Sequence, residues 1–167
     1  MKKVFLALIL LLIPTISKAQ SLNELRMIKN VNDFKKVMIE NNFQNYVYVG
    51  ENKDIESNKD LVVYQKIEGK YKEGKKYAMY WPNKSMVFNW ILTFNKATKF
   101  DYDENGKMIK EYGDYNDIVD SIKKECKYLE IRSIKDKDYV CYICDNDVKI
   151  GFAIDKDSTA NIINLTQ

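Results

Sequence analysis

The chain has 167 residues, 46% hydrophobic, 31% charged and 13% aromatic, a composition that supports one packed domain and excludes a disordered polymer. It contains no histidine, which excludes Ser-His-Asp and Cys-His catalysis and every His-ligated metal site. The net charge of +3 is local: three of the 27 Lys/Arg lie in residues 1–19, which hold no acid, and the remainder balances 24 bases against 24 acids. A neutral remainder removes the electrostatic case for nucleic acid as a partner.

Lys2 and Lys3 precede ten apolar residues, 4–13, which end at Pro14. Ser17-Lys18-Ala19 then places small residues at the −3 and −1 positions of a cut before Gln20. This is the three-part pattern of a secretory signal. A run of ten is too short to span a bilayer, which needs roughly 20 residues. The expected mature chain, residues 20–167, is secreted or periplasmic and has no transmembrane segment. The weight of Lys, Asn, Ile and Tyr, which A+T-rich codons specify, points to a bacterium.

Ser21-Leu22-Asn23-Glu24 fits a capping box that opens a first helix through Leu25 and Ile28. Asn32 or Asp33 can cap a second helix over 34–41, with Phe34, Val37 and Met38 on one face. The period then changes to two. Residues 46–49, 61–67, 77–81 and 86–94 read as strands, and Met86, Phe88, Trp90, Leu92 and Phe94 share one face of the last. Pro82-Asn83-Lys84-Ser85 is a turn that folds 77–81 back against it.

Glu104-Asn105-Gly106 joins 100–103 to 107–112 as a hairpin, with Asn105 and Gly106 supplying positive φ. A third helix is capped by Asn116 or Asp117 and carries Ile118, Val119, Ile122, Cys126 and Leu129 as its stripe. Residues 139–144, 149–155 and 160–165 complete the strands. The chain therefore reads as one α+β domain, an antiparallel sheet with helices packed on one face. Asn32-Asp33-Phe34 and Asn116-Asp117-Ile118 open helices 84 residues apart, each leading into a β-rich stretch. That suggests a tandem helix-plus-meander repeat with halves 20–112 and 113–167.

This element order, carried by the two Asn-Asp helix starts and the strand runs 86–94 and 139–155, resembles the β-lactamase-inhibitor-protein-like and PepSY-like families. No motif accompanies the resemblance. It implies protein binding rather than catalysis and carries over no functional residue. A single cystatin-like or nuclear-transport-factor-like cone is the structural alternative.

Cys126, Cys141 and Cys144 are the three cysteines, in a compartment expected to be oxidising. Cys141 and Cys144 form a C-x-x-C on a strand, where positions three apart point to opposite faces and do not pair. A helix-to-strand disulfide is expected, with Cys126–Cys141 favoured and Cys144 as the alternative partner. Asp101, Asp103 and Asn105 match the first half of a calcium loop, but Tyr112 occupies the position of the closing Glu. The hairpin explains the same residues without an ion. No Gly-rich phosphate loop or nucleophile elbow is present, so no cofactor is expected. The lysine-rich stretch 66–76 reads as a solvated hairpin tip rather than a polyanion site.

Twelve tyrosines are many, and Tyr46, Tyr48, Tyr64, Tyr77 and Tyr80 fall on expected strands. They are the expected interaction surface, since tyrosine suits interfaces. The sequence thus reads as a protein-binding or inhibitor-like module whose partner is another envelope or extracellular protein. A small carboxylate-dependent hydrolase of envelope glycans and a small-ligand carrier are the alternatives.

Overall fold

The computed structural model describes residues 21–46, 61–68, 74–81, 87, 89–94 and 99–165. The signal segment, Tyr48, the turn at 82–85, and Met86 and Phe88 lie outside the described residues, as do residues 69–73 of the lysine-rich stretch. Among the described residues, no helix is long and apolar enough to cross a membrane.

Helix α1 spans Leu22–Arg26 and opens with a full capping box. The Glu24 amide donates to the Ser21 hydroxyl at 3.3 Å, and the Ser21 amide donates to the Glu24 carboxylate at 3.0 Å. Helix α2 spans Val31–Glu40, and its cap is Asn30 rather than Asn32 or Asp33. The Asn30 side-chain Oδ1 accepts from the amides of Asn32 and Asp33, which satisfies two orphan donors two to three residues earlier than expected. Helix α3 spans Asp114–Glu125. It starts after Gly113, whose φ of 63° suits glycine, and buries Tyr115, Ile118, Val119 and Ile122.

The strands are β1 (Gln44–Asn45), β2 (Val62–Glu68), β3 (Gly74–Tyr80), β4 (Trp90–Phe94), β5 (Lys99–Tyr102), β6 (Met108–Glu111), β7 (Lys127–Ile134), β8 (Lys137–Ile143), β9 (Lys149–Ile154) and β10 (Ala160–Asn164). Eight form one antiparallel sheet in the order β1-β2-β3-β4-β10-β9-β8-β7, while β5 and β6 form a separate hairpin. Helix α2 thus leads into the meander β1–β4 and helix α3 into the meander β7–β10. The last strands of the two meanders meet at the centre, where β10 pairs with β4 from Ala160↔Phe94 to Asn164↔Trp90. All five residues of β10 are buried, as expected of a strand covered on both faces.

The register sorts side chains by face. Tyr64, Ala78, Leu92, Ile162, Phe152 and Val140 lie in one row across six strands. This face packs under the helices, with Trp90, Phe94, Phe34 and Ile122 in the same core. Phe34 of α2 meets Tyr64 at 6.0 Å and Tyr80 at 5.3 Å between ring centroids. The opposite face carries a smaller core of Ile134, Tyr139, Cys141, Ala153, Ile163 and Leu165.

Cys126 and Cys144 are bonded, at an S–S distance of 2.05 Å, and Cys141 is a buried free thiol. The favoured Cys126–Cys141 pair is therefore corrected to the alternative. Face parity explains it: Cys141 opposes Gly151 and belongs to the smaller core, whereas Cys144 belongs to the helix-side core where α3 ends.

Gly151 is a point where this packing leaves no room. A Cβ there would sit 3.2 Å from both Cys141 Sγ and Ile163 Cγ1, and 3.3 Å from Tyr139 Cβ. Gly151→Ala should destabilise the fold by about 1–3 kcal/mol, measured as a lowered urea midpoint with unchanged slope.

Alkaline conditions probe the same interior. Burial pushes Tyr115 above the ordinary tyrosine value of 10.0, and burial with the nearby Asp155 charge pushes Tyr139 to about 12. The unfolded chain therefore loses these protons first, so unfolding releases protons and stability falls as pH rises from about 10 to about 12. Urea midpoints should decline through this window, less steeply in Tyr139→Phe; a flat profile would contradict the assignment.

Candidate interaction surfaces

The structure separates the tyrosines expected to share one surface. Tyr64 and Tyr80 are 5% and 8% exposed beneath α2, so they are core and not interface. Burial, with the Asp33 charge nearby, raises the Tyr80 hydroxyl above its ordinary value. Tyr46 and Tyr77 project from the opposite face, where their rings meet edge-to-face at 6.1 Å. Tyr46 is 38% exposed and Tyr77 is half-buried. Strand parity divides the four described members of the set two and two, which a count of strand tyrosines does not reveal.

The half calcium loop is the turn of the β5–β6 hairpin. Asp103 Oδ1 accepts from the amides of Asn105 and Lys107, at 2.9 and 2.8 Å, and caps the turn. Gly106 alone takes positive φ, at 74°, and Asn105 does not. This is a type I turn closed by a left-handed glycine rather than a two-residue Asn-Gly turn. The described residues include no cluster of three Cys, Asp or Glu side chains that could hold a metal ion.

A cleft of about 500 Å³ opens beside β1 and β2. It is lined by Asn42, Gln44, Asn45, Tyr46, Gln65, Lys66 and Ile67. No carboxylate lines it, so it offers neither partner of a glycosidase acid pair. The helix-side face of the sheet, where a carrier would keep its pocket, is packed with Trp90, Leu92, Phe94, Ile150 and Ile162.

Two other surfaces expose apolar side chains in groups. The first is the β5–β6 hairpin. Phe100 opposes Lys110 and Tyr102 opposes Met108, so Phe100, Tyr102 and Met108 share one face. They are 57%, 68% and 47% exposed, and Ile109 is exposed on the other face. The main sheet does not extend the hairpin. Its attachments include two hydrogen bonds: Lys110 donates to the Ser158 hydroxyl at 2.7 Å, and the Asn116 side chain donates to the Lys110 carbonyl at 3.3 Å. Tyr112, immediately after β6, is fully buried and meets Tyr115 of α3 edge-to-face.

The second surface is β7, an edge strand that exposes Tyr128, Leu129 and Ile131. Sequence spacing assigned this segment to the end of α3, because Cys126 and Leu129 continue the helical stripe. The helix instead stops at Glu125, and Cys126 is extended at φ −113° and ψ 159°. The run Tyr128-Leu129-Glu130-Ile131-Arg132 carried the missed signal, three hydrophobes and two charges in near alternation. A bulge between Tyr128 and Glu130 interrupts that alternation.

No protein-family model matches the chain, nor does any curated protein or solved structure.

Closing the 18-residue separation between Cys126 and Cys144 stabilises the fold by about 3 kcal/mol. Cys126→Ser with Cys144→Ser should lower stability by that order. In the intact protein, burial raises the Cys141 thiol above its ordinary value, so a native sample should not react with iodoacetamide. After denaturation without reductant, mass spectrometry should find one alkylated cysteine per chain, at position 141.

Proposed function

We propose that this chain is an exported binding module whose β5–β6 hairpin recognises another protein. The observation that carries the reading is the exposure of Phe100, Tyr102 and Met108 on one face of a hairpin separate from the main sheet. A two-stranded hairpin is marginally stable alone in water and gains nothing from apolar side chains turned toward solvent. Aromatic residues presented on such a ribbon gain their burial energy when a partner covers them. The partner is an envelope or extracellular protein that offers a cleft. The lack of histidine favours recognition over catalysis, and the twofold order of helix and four-stranded meander supports the likeness to inhibitor and interaction modules.

Export rests on the Lys2-Lys3 start, the apolar run 4–13 and the Ser17-Lys18-Ala19 cut site, and the Cys126–Cys144 bond supports an oxidising destination. The mature form would begin at Gln20.

Site-specific photo-crosslinking in the producing cell tests both parts. A photoreactive residue at Tyr102 should yield one discrete adduct outside the cytoplasm, while the same residue at exposed Lys75 of β3 should not. Phe100→Ser with Tyr102→Ser should weaken the captured complex by roughly 30-fold, about 2 kcal/mol, and leave the thermal midpoint unchanged. Equal adducts at both positions, or capture that survives the double substitution, would reject the hairpin as the recognition element.

A further inference from the structure

Strand β7 is eight residues long and, among the described residues, pairs with β8 on one side only. Every second residue of such an edge directs its amide and carbonyl outward, ready for another strand. Beyond the bulge, residues 130–134 alternate regularly. Ile131 pairs with Val140 and points to the helix side, while Glu130 and Arg132 pair with Cys141 and Tyr139 on the opposite side. Ile131 is 62% exposed. Glu130 and Arg132 are bound to each other through two hydrogen bonds within the strand and remain solvent-accessible.

We infer that β7 is the docking edge for a second copy of this chain, paired antiparallel about a twofold axis through Ile131. The argument is the charge pattern. An antiparallel twofold pairing of identical strands places residues of the same face opposite one another, so the axis must pass through a residue. With the axis on Glu130, two Glu130 carboxylates stand opposed. With the axis on Arg132, two Arg132 guanidinium groups stand opposed. With the axis on Ile131, each Glu130 faces Arg132 of the other copy, and the two Ile131 side chains meet on the helix side. Directly opposed residues lie within ion-pair and van der Waals reach. One register is favoured twice over, and both neighbouring registers carry like-charge repulsion, so the pattern also fixes the alignment. The result is a continuous sheet of sixteen strands through the two copies, sixteen being twice the eight of one chain.

The test is sedimentation of the mature chain and two charge variants. The wild-type chain should sediment as a dimer. Arg132→Glu opposes Glu130 with a second acid, and Glu130→Arg opposes Arg132 with a second base. Each variant alone should dimerise at least tenfold more weakly. Mixing the two restores both cross-strand pairs, although neither chain retains its own internal pair, and the mixture should recover the dimer. Unchanged thermal midpoints and an unreactive Cys141 establish that each variant is folded. A monomeric wild-type chain, single variants as dimeric as wild type, or a mixture of folded variants that stays monomeric would each overturn the proposal.

Discussion

The architecture depends on α3 being fixed at both ends across the helix-side face. At its start, Asp114 pairs at 3.0 Å with Lys76 of β3, and the Lys76 side chain is only 4% exposed. At its end, Cys126 is bonded to Cys144, the residue after β8. Twelve helical residues span about 18 Å. From β3 to β8 the sheet order takes four interstrand steps, about 19 Å. The helix therefore lies across the strands and bridges both meanders. A buried ion pair contributes little net stability, but removing one partner leaves a costly charge, so Lys76–Asp114 fixes placement more than it adds energy. The Lys76 ammonium also sits 5.5 Å from the Phe94 ring centroid, which ties that charge to the central strand.

The pinned helix accounts for what could and could not be read from the sequence. Trp90, Leu92 and Phe94 alternate with Ile91 and Thr93, and the structure buries the first three as expected. Ser21 with Glu24, and Asp103 with Gly106, are local devices whose partners lie within a few residues, so their chemistry is legible in one dimension. The disulfide partner was not. Face parity in β8 separated Cys141 from Cys144, but the face that receives α3 is decided by sheet topology, which requires the distant β4–β10 pairing. Strand β7 escaped for a related reason. Cys126 is extended because the bond and the ladder to β8 hold it so, and neither constraint is local.

The two halves repeat an element order but treat their outer strands differently. At one edge of the sheet, β1 presents Gln44 and Asn45, polar residues that do not reward burial. At the other, β7 presents Tyr128, Leu129 and Ile131 along eight residues. Edge strands are commonly blunted by brevity, charge or bulges. Strand β7 has the charges and the bulge, yet Glu130 and Arg132 neutralise each other, so they deter a mismatched strand without repelling a matched one. The same asymmetry appears between the meanders, where the β5–β6 hairpin leaves the main sheet before α3 begins the second half.

Charge balance sets how such surfaces can work. With the amino-terminal bases set aside, equal numbers of acids and bases produce little net monopole, so attraction at long range does not gather partners. Under the proposed function, recognition comes from contact: aromatic burial at the hairpin and, in the proposed dimer, register-specific pairing at β7. Contact-driven recognition places specificity in residence time more than in encounter rate. That favours anchored presentation, and both surfaces are tied to the core. The hairpin is rooted by buried Tyr112 against Tyr115 of α3. Strand β7 begins one residue after the disulfide at Cys126, so the bond that fixes the helix also fixes the start of the edge.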